Sequence, residues 1–203
     1  MKTSTLLLVA GLLPLLGACN SLSPKTSQTA SAAAPDAAWI GEARQVAGSV
    51  PPKLQAVLKA EIQQGGPAHA IGVCQVVAPQ MARAASEATG WQIRRVSLGN
   101  RNPKAVPDAW ERQTLEAFER QQAAGADASK LERAEIVTEN GHPVRRYMRA
   151  LPVQEACLSC HGGADKLGPG VAARLSELYP QDKGTGYLLG QVRGAMTLRQ
   201  DVR

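Results

Sequence analysis

The sequence predicts an α+β domain in which helices come first and a small antiparallel sheet with interposed helices follows. Three observations support this fold class. Apolar residues recur at three- and four-residue spacing within residues 36–90, which indicates amphipathic helices. Asn140 and Gly141 separate two short strand-like runs and form a strong hairpin signal. Residues 183–200 alternate in hydrophobicity between glycines, which favours a closing strand.

Residues 1–18 have the pattern of an export signal peptide. Lys2 supplies a positive charge, and the apolar run at 6–17 is too short to cross a bilayer comfortably. The run LGAC resembles the bacterial lipoprotein processing box, which implies cleavage before Cys19 and attachment of a lipid to its thiol. An ordinary signal peptide cut nearby and an uncleaved anchor are the alternatives.

The chain after this signal divides into a tether and a single domain. Residues 19–35 are rich in Ser, Thr, Ala and Pro, so they cannot bury enough apolar surface to fold. We expect a flexible tether there and one folded domain over residues 36–203. Residues 36–50 have helical character, and Pro51 opens a further helical segment, so two helices or one kinked helix should follow the tether.

The helix predicted over residues 66–90 carries an apolar face. Pro79 deprives the Gln75 carbonyl of its partner, so a kink is expected just after Cys74, and Gly90 ends the helix. The apolar face consists of Ile71, Cys74, Ala78, Met81, Ala85 and Ala88.

Strands and helices alternate in the rest of the domain. Residues 91–99 predict a strand, and a helix is expected from about Pro107 through Gln122. The apolar anchors of that helix are Trp110, Leu115 and Phe118. After the hairpin, residues 168–180 predict a short helix.

A CxxCH motif lies at Cys157, Cys160 and His161. Two thiols three positions apart can each add to one vinyl group of a haem while the next histidine reaches the iron. Bacterial c-type haem attachment takes place outside the cytoplasm, so the predicted export signal supports covalent attachment of one haem c. A zinc site and a redox-active CxxC are the alternatives, but the sequence has no second CxxC and no thioredoxin-like βαβ setting.

The composition argues against nucleic acid as a partner. The net charge of +6 is modest, and only 3% of the residues are aromatic. A nucleic-acid surface would need a concentrated basic stripe and usually stacking aromatics.

Cys74 is the thiol that remains once Cys19 is assigned to lipid and the CxxCH cysteines to haem. It fits three roles: a small buried hydrophobe, an iron ligand, or half of an intermolecular disulfide. His69 should face away from the apolar stripe, and His142 lies in the predicted hairpin turn. The residues alone leave the second axial ligand open among Cys74, His69, Met81, His142, Met148 and Met196.

Arginines supply candidate partners for the haem propionates, because a guanidinium pairs with carboxylates bidentately. We expect one or two of them at most to act in this way. Spacing does not choose among Arg94, Arg95, Arg101, Arg145, Arg146, Arg149 and Arg193.

Four segments of the chain occur together in one known family: IGVCQ at 71–75, RNPKAVPDAWE at 101–111, ACLSCHG at 156–162, and YPQDKGTGYLLGQVRGAM at 179–196. With these, the chain resembles the bacterial and cyanobacterial family of PAS-like domains that bind one c-type haem. The resemblance implies a PAS-like antiparallel sheet flanked by helices. It also implies that His161 and Cys74 are the axial ligands of the iron.

This ligand pair sets expectations for function. A thiolate stabilises ferric iron, so the reduction potential should be low, and with both axial positions filled no open catalytic site is expected. We expect no enzyme but a redox or gas sensor module, with a low-potential electron-transfer cytochrome as the alternative. Its partners would be the membrane through the lipid on Cys19, a redox or signalling protein, and a small gas. Asn20 after Cys19 favours a periplasmic protein anchored in the outer membrane.

Overall fold

The computed structural model describes residues 35–202 of the chain. The predicted signal peptide, Cys19 and the predicted tether up to residue 34 lie outside the described residues. None of the helices within 35–202 combines the length and apolarity needed to cross a bilayer.

The first helix, α1, covers Pro35–Thr89 and is broken at Gly66. Gly66 has φ 78° and ψ 176°, a conformation essentially restricted to glycine, and the following Pro67 disfavours the helical conformation at residue 66. The sequence predicted a helix that starts at residue 66, which agrees with this break, but it also predicted a boundary at Pro51 and a kink caused by Pro79. Both prolines keep helical dihedral angles, so α1 is one kinked helix whose two segments meet at Gly66.

Four antiparallel strands form one sheet in the order β1-β4-β3-β2. Their bounds are β1 Gln92–Val96, β2 Glu132–Glu139, β3 His142–Pro152 and β4 Val192–Asp201. Strands β2 and β3 form the predicted hairpin, because Asn140 (φ 51°) and Gly141 (φ 81°) adopt the left-handed conformations that a tight two-residue turn requires. The predicted strand, hairpin and closing strand are therefore confirmed.

Each face of the sheet is covered by a different helix. The first segment of α1 packs on one face, where Trp39 and Trp91 meet with ring centroids 6.2 Å apart. Helix α2, Ala109–Ala123, covers the other face with the predicted anchors Leu115 and Phe118. Its N-terminus is closed by a capping box between Asp108 and Glu111.

A third apolar cluster joins the second segment of α1 to the C-terminal part of the domain. Two short helices complete the fold there, α3 at Leu158–His161 and α4 at Val171–Leu178. Ile71 from α1 packs with Val171, Leu175 and Tyr179, and Cys160 packs against this cluster. The predicted α+β class, with N-terminal and interposed helices around an antiparallel sheet, is confirmed.

Candidate cofactor site

The CxxCH motif lies on a single helical turn. A 3₁₀ turn at Glu155–Cys157 runs directly into α3, so the side chains of Cys157 and Cys160 lie three residues apart on the same side. Both residues are half-buried, and all three cysteines that the structure describes are free thiols. The two thiols are therefore available to one planar ligand.

His161 is held through one ring nitrogen. Its Nδ1 lies 2.7 Å from the Gly184 carbonyl oxygen and 3.1 Å from Nε of Arg193. Among the described residues, no hydrogen bond involves Nε2, which leaves that nitrogen for a metal. Burial, reinforced by the charges of Arg193 and Arg101, lowers the pKa of His161 well below its usual range. The imidazole is thus neutral, which is the form that ligates iron.

A loop at residues 182–187, here called the His161 strap, fixes the CxxCH turn to the rest of the domain. The amides of Gly186 and Tyr187 donate to the carbonyls of Gly162 and His161, each at 2.9 Å. A Cβ on Gly184 would collide with Nη2 of Arg193, so only glycine fits where the strap passes this arginine. The strap determines where the His161 ring points.

Cys74 lies in the second segment of α1, close to the CxxCH motif. Burial, reinforced by the nearby Cys160 thiol, raises the pKa of its thiol to about 11. Ile71, one helical turn before Cys74, belongs to the cluster against which Cys160 packs. The two thiols therefore belong to the same site.

The other candidates for the second axial position lie elsewhere. His69 is exposed and contacts Glu61 at 3.0 Å, and His142 is exposed beside the hairpin turn. Met148 is fully buried against α2, and Met196 is buried beneath the first segment of α1. Met81 is half-buried two turns beyond Cys74.

Two arginines contact the CxxCH turn. Arg101 donates to the Cys160 carbonyl at 2.6 Å and pairs with Asp182 at 3.1 Å. Arg193 is only 5% exposed and has no carboxylate partner among the described residues. The Arg193 guanidinium is held by neutral groups instead, so its charge is not balanced by the protein.

Arg95, on β1, is a third cation at this site. It makes no hydrogen bond or ion pair within residues 35–202 and remains open to solvent. Burial nevertheless lowers its pKa, while the thiols of Cys74 and Cys157 act in the opposite direction. This site, between the second segment of α1, β1 and the CxxCH turn, is here called the crevice.

The remaining arginines of the predicted set are engaged elsewhere. Arg94 pairs with Glu111, Arg146 with Asp108, and Arg145 with Gln200, while Arg149 lies 3.5 Å from the Ser129 carbonyl. Strand periodicity was the signal that could have separated Arg94 from Arg95, because neighbouring strand residues point to opposite faces. The roles of Arg101 and Arg193 depend on the His161 strap and had no such signal.

The residues of the crevice fit a covalently bound haem. Two thiols have the spacing for vinyl groups, and a neutral imidazole has a free Nε2. Arg95, an exposed cation without a carboxylate partner among the described residues, fits a ligand that carries propionates. Among residues 35–202, no cluster of three or more His, Cys, Asp or Glu side chains could hold a metal ion by itself, so nothing there supports the zinc alternative.

Comparison with known proteins agrees with this fold. The crystal structure of the cyanobacterial heme-protein Tll0287 superimposes with a TM-score of 0.62 at 23% sequence identity, covering 82% of this chain and 96% of that one. The predicted PAS-like α+β class is thereby confirmed. The family model described as Tll0287-like matches residues 23–200, and the chain therefore belongs to the Tll0287-like family. No curated protein matches.

Proposed function

We propose that the protein binds one c-type haem through Cys157 and Cys160, with His161 and Cys74 as axial ligands, and serves as a redox or gas sensor module. The observation that carries this proposal is the convergence of Cys74 with the CxxCH turn at one crevice. The similar protein of known structure is a cyanobacterial heme-protein, which supports the same conclusion. When bound, a haem supplies a one-electron iron couple.

Different side chains of the crevice would hold different parts of the haem. Cys157 and Cys160 would fix the porphyrin edge, and His161 would present Nε2 because Gly184 engages Nδ1. Cys74 would approach from α1 and give up its thiol proton on ligation, as thiol ligands of metals do. With both axial positions taken by side chains, we propose no enzymatic activity.

A sensor needs a ligand-bearing element that can move. Cys74 lies on the second segment of α1, which is joined to the first segment at the non-helical Gly66. The first segment packs on the sheet and the second packs on α4 through Ile71, so a shift of the second segment about this joint would move Cys74 and disturb its packing on α4. The geometry therefore favours sensing through Cys74.

A second function, low-potential electron transfer, is favoured by a different observation. Leu188 and Leu189 directly follow the His161 strap and are 66% and 61% exposed. An exposed apolar pair beside a haem site suits transient docking of a redox partner. In either case, we propose that a lipid on Cys19 holds the protein at the outer membrane, facing the periplasm.

Optical spectra test the ligand assignment. The wild type and Cys74→Ser are exported in a host that attaches c-type haem, and each is recorded oxidised and reduced. We expect covalent haem in both proteins and a thiolate-type ferric spectrum only in the wild type. Met81→Leu, on the same helix face, is the matched control and should keep the wild-type spectrum. If the spectra of wild type and Cys74→Ser coincide, Cys74 is a core residue.

The reduced wild type separates the two functions. Loss of Cys74 from the iron and binding of carbon monoxide would support the sensor. A ferrous protein that keeps Cys74 and ignores carbon monoxide would support the electron carrier. Cys19→Ser tests the anchor, because it should move the protein from the membrane fraction to the soluble periplasmic fraction.

A further inference from the structure

Arg193 is the cation that contacts the His161 ring, and it forms no ion pair with a carboxylate among residues 35–202. It lies at the start of β4, is 5% exposed, and places Nε 3.1 Å from His161 Nδ1. The other arginine at the CxxCH turn, Arg101, is balanced by Asp182. Burying a cation without a carboxylate partner costs folding free energy. This cost indicates that the charge has a role other than stabilising the fold.

The contacts of Arg193 hold its guanidinium rigidly. Nη1 donates to Ser97 Oγ at 2.8 Å and to the Gly99 carbonyl at 3.0 Å, and the Ser97 hydroxyl donates back to the Arg193 carbonyl at 2.8 Å. The guanidinium carbon lies 5.0 Å from the ring centroid of Tyr187. These partners are all neutral, so they fix the position of the charge without cancelling it.

The two neighbours of His161 Nδ1 require opposite protonation states of that nitrogen. The Gly184 carbonyl at 2.7 Å needs a hydrogen on Nδ1, whereas Arg193 at 3.1 Å needs a lone pair there. Once Nε2 ligates iron, the hydrogen of the neutral ring is on Nδ1, and it donates to Gly184. Arg193 then remains beside the ring as a fixed positive charge that limits how the imidazole can turn.

We propose that Arg193 is a positioning residue for the iron ligand His161, and that its unbalanced charge raises the reduction potential of the bound haem. A nearby cation favours the reduced iron, which carries one positive charge less. Arg193 thus opposes the lowering of the potential by the Cys74 thiolate. This inference rests on the proposed haem binding.

Three variants of the haem-loaded protein test this role. In Arg193→Gln the charge is lost, in Arg193→Lys the charge stays but the fixed planar contacts are lost, and Arg94→Gln removes a cation from the opposite face of the sheet. Spectroelectrochemistry gives the midpoint potential, and electron paramagnetic resonance of the ferric form reports the orientation of His161. We expect a lower potential for Arg193→Gln and a wild-type potential for Arg94→Gln. Arg193→Lys should keep most of the potential but broaden the resonance signals.

The outcomes separate this role from a purely structural one. If Arg193→Gln melts at a lower temperature but keeps the wild-type potential, Arg193 is structural and the inference is wrong. If Arg94→Gln lowers the potential equally, only net charge matters and the contact with His161 has no special role. If Arg193→Gln does not fold, Arg193→Lys decides alone through its resonance signals, and unchanged signals would overturn the inference. A wild type without covalent haem, seen before any variant is compared, would overturn the proposed function itself.

Discussion

Cations are paired with carboxylates on the α2 side of the sheet and lack such partners in the crevice. On the α2 side, Arg146 is 4% exposed and lies 2.7 Å from Asp108 and 3.4 Å from Glu111. Glu139 pairs with it as well. We call these four residues the α2 ion-pair network. In the crevice, neither Arg95 nor Arg193 has a carboxylate partner among the described residues.

This difference in charge pairing separates a region that stabilises the fold from a region that fits a charged ligand. Breaking a buried ion pair leaves an uncompensated charge, so the α2 ion-pair network is complete in the protein alone and serves the fold. The crevice supplies no negative charge for Arg95 among the described residues, so a ligand has to supply it. The propionates of a haem are a chemical match for the open guanidinium of Arg95.

The largest effect on this comparison is expected from Glu111→Ala. Glu111 is 2% exposed, accepts from the Thr197 hydroxyl at 2.9 Å, and closes the capping box of α2. Its removal leaves Arg146 and Arg94 short of a partner, so the free energy of unfolding should fall by about 3 kcal/mol. Urea unfolding measures this loss.

Glu116→Ala, on the exposed side of the same helix, is the control for Glu111→Ala and should change the free energy of unfolding by less than about 0.5 kcal/mol. The haem content of folded Glu111→Ala should match the wild type. A selective loss of haem in this variant would mean that the α2 ion-pair network and the crevice are not separate.

A smaller effect is expected from two neighbouring arginines on β1. Arg94→Gln removes an ion pair with Glu111, so the unloaded protein should lose about 1 kcal/mol of unfolding free energy. Arg95→Gln removes a cation that has no partner, so the unloaded protein should lose none. In the haem-loaded protein we expect the reverse ranking, because Arg95 then has propionates to pair with.

Urea unfolding of both variants, each with and without haem, measures this reversal. The two substitutions are chemically identical and one residue apart, which makes each the control of the other. If the difference in unfolding free energy between Arg95→Gln and wild type is the same with and without haem, Arg95 does not pair with the ligand.

The smallest effect is expected from an ion pair outside both regions. Arg44 on α1 donates to Glu132 on β2 at 3.0 Å, and this hydrogen bond, helped by the Tyr147 hydroxyl at 2.7 Å, lowers the pKa of Glu132 despite partial burial. A lowered folded-state pKa stabilises the fold above the unfolded value of about 4.3 and loses that contribution as the pH falls through the folded value.

Melting temperatures of wild type and Glu132→Gln between pH 7 and pH 3 test this pair. The variant should melt roughly 2 °C lower at pH 7, and the gap should close below about pH 4. A difference in melting temperature that is the same at every pH would show that the shape of the Glu132 side chain, not its charge, accounts for the stabilisation.

Local signals predicted much of the fold and part of the site. The hairpin at Asn140 and Gly141 and the CxxCH turn each depend on adjacent residues, so the sequence was sufficient for them. The start of a helix at residue 66 was predicted and is observed, because Pro67 disfavours the helical conformation at Gly66, whereas the boundary predicted at Pro51 is absent because Pro51 is tolerated within the helix.

The arginines show where sequence reasoning ends. Seven were equivalent candidates by composition, and only three reach the CxxCH turn or the crevice. Arg95 is selected by the face of β1 on which it lies, and Arg193 by the passage of the His161 strap across the start of β4. Strand periodicity could have selected Arg95, whereas Arg193 depends on contacts with His161 and Ser97, 32 and 96 residues away, which no local pattern encodes.

The His161 strap also divides the molecule by local stability. Its Gly186 and Tyr187 amide hydrogens are bonded to the CxxCH turn rather than to the sheet, so they are exposed to water when the strap separates from that turn. The amides shared by β3 and β4 lie within the sheet and exchange only when the core unfolds. Hydrogen exchange at these two amides therefore reports release of the His161 strap from the CxxCH turn separately from unfolding of the whole domain.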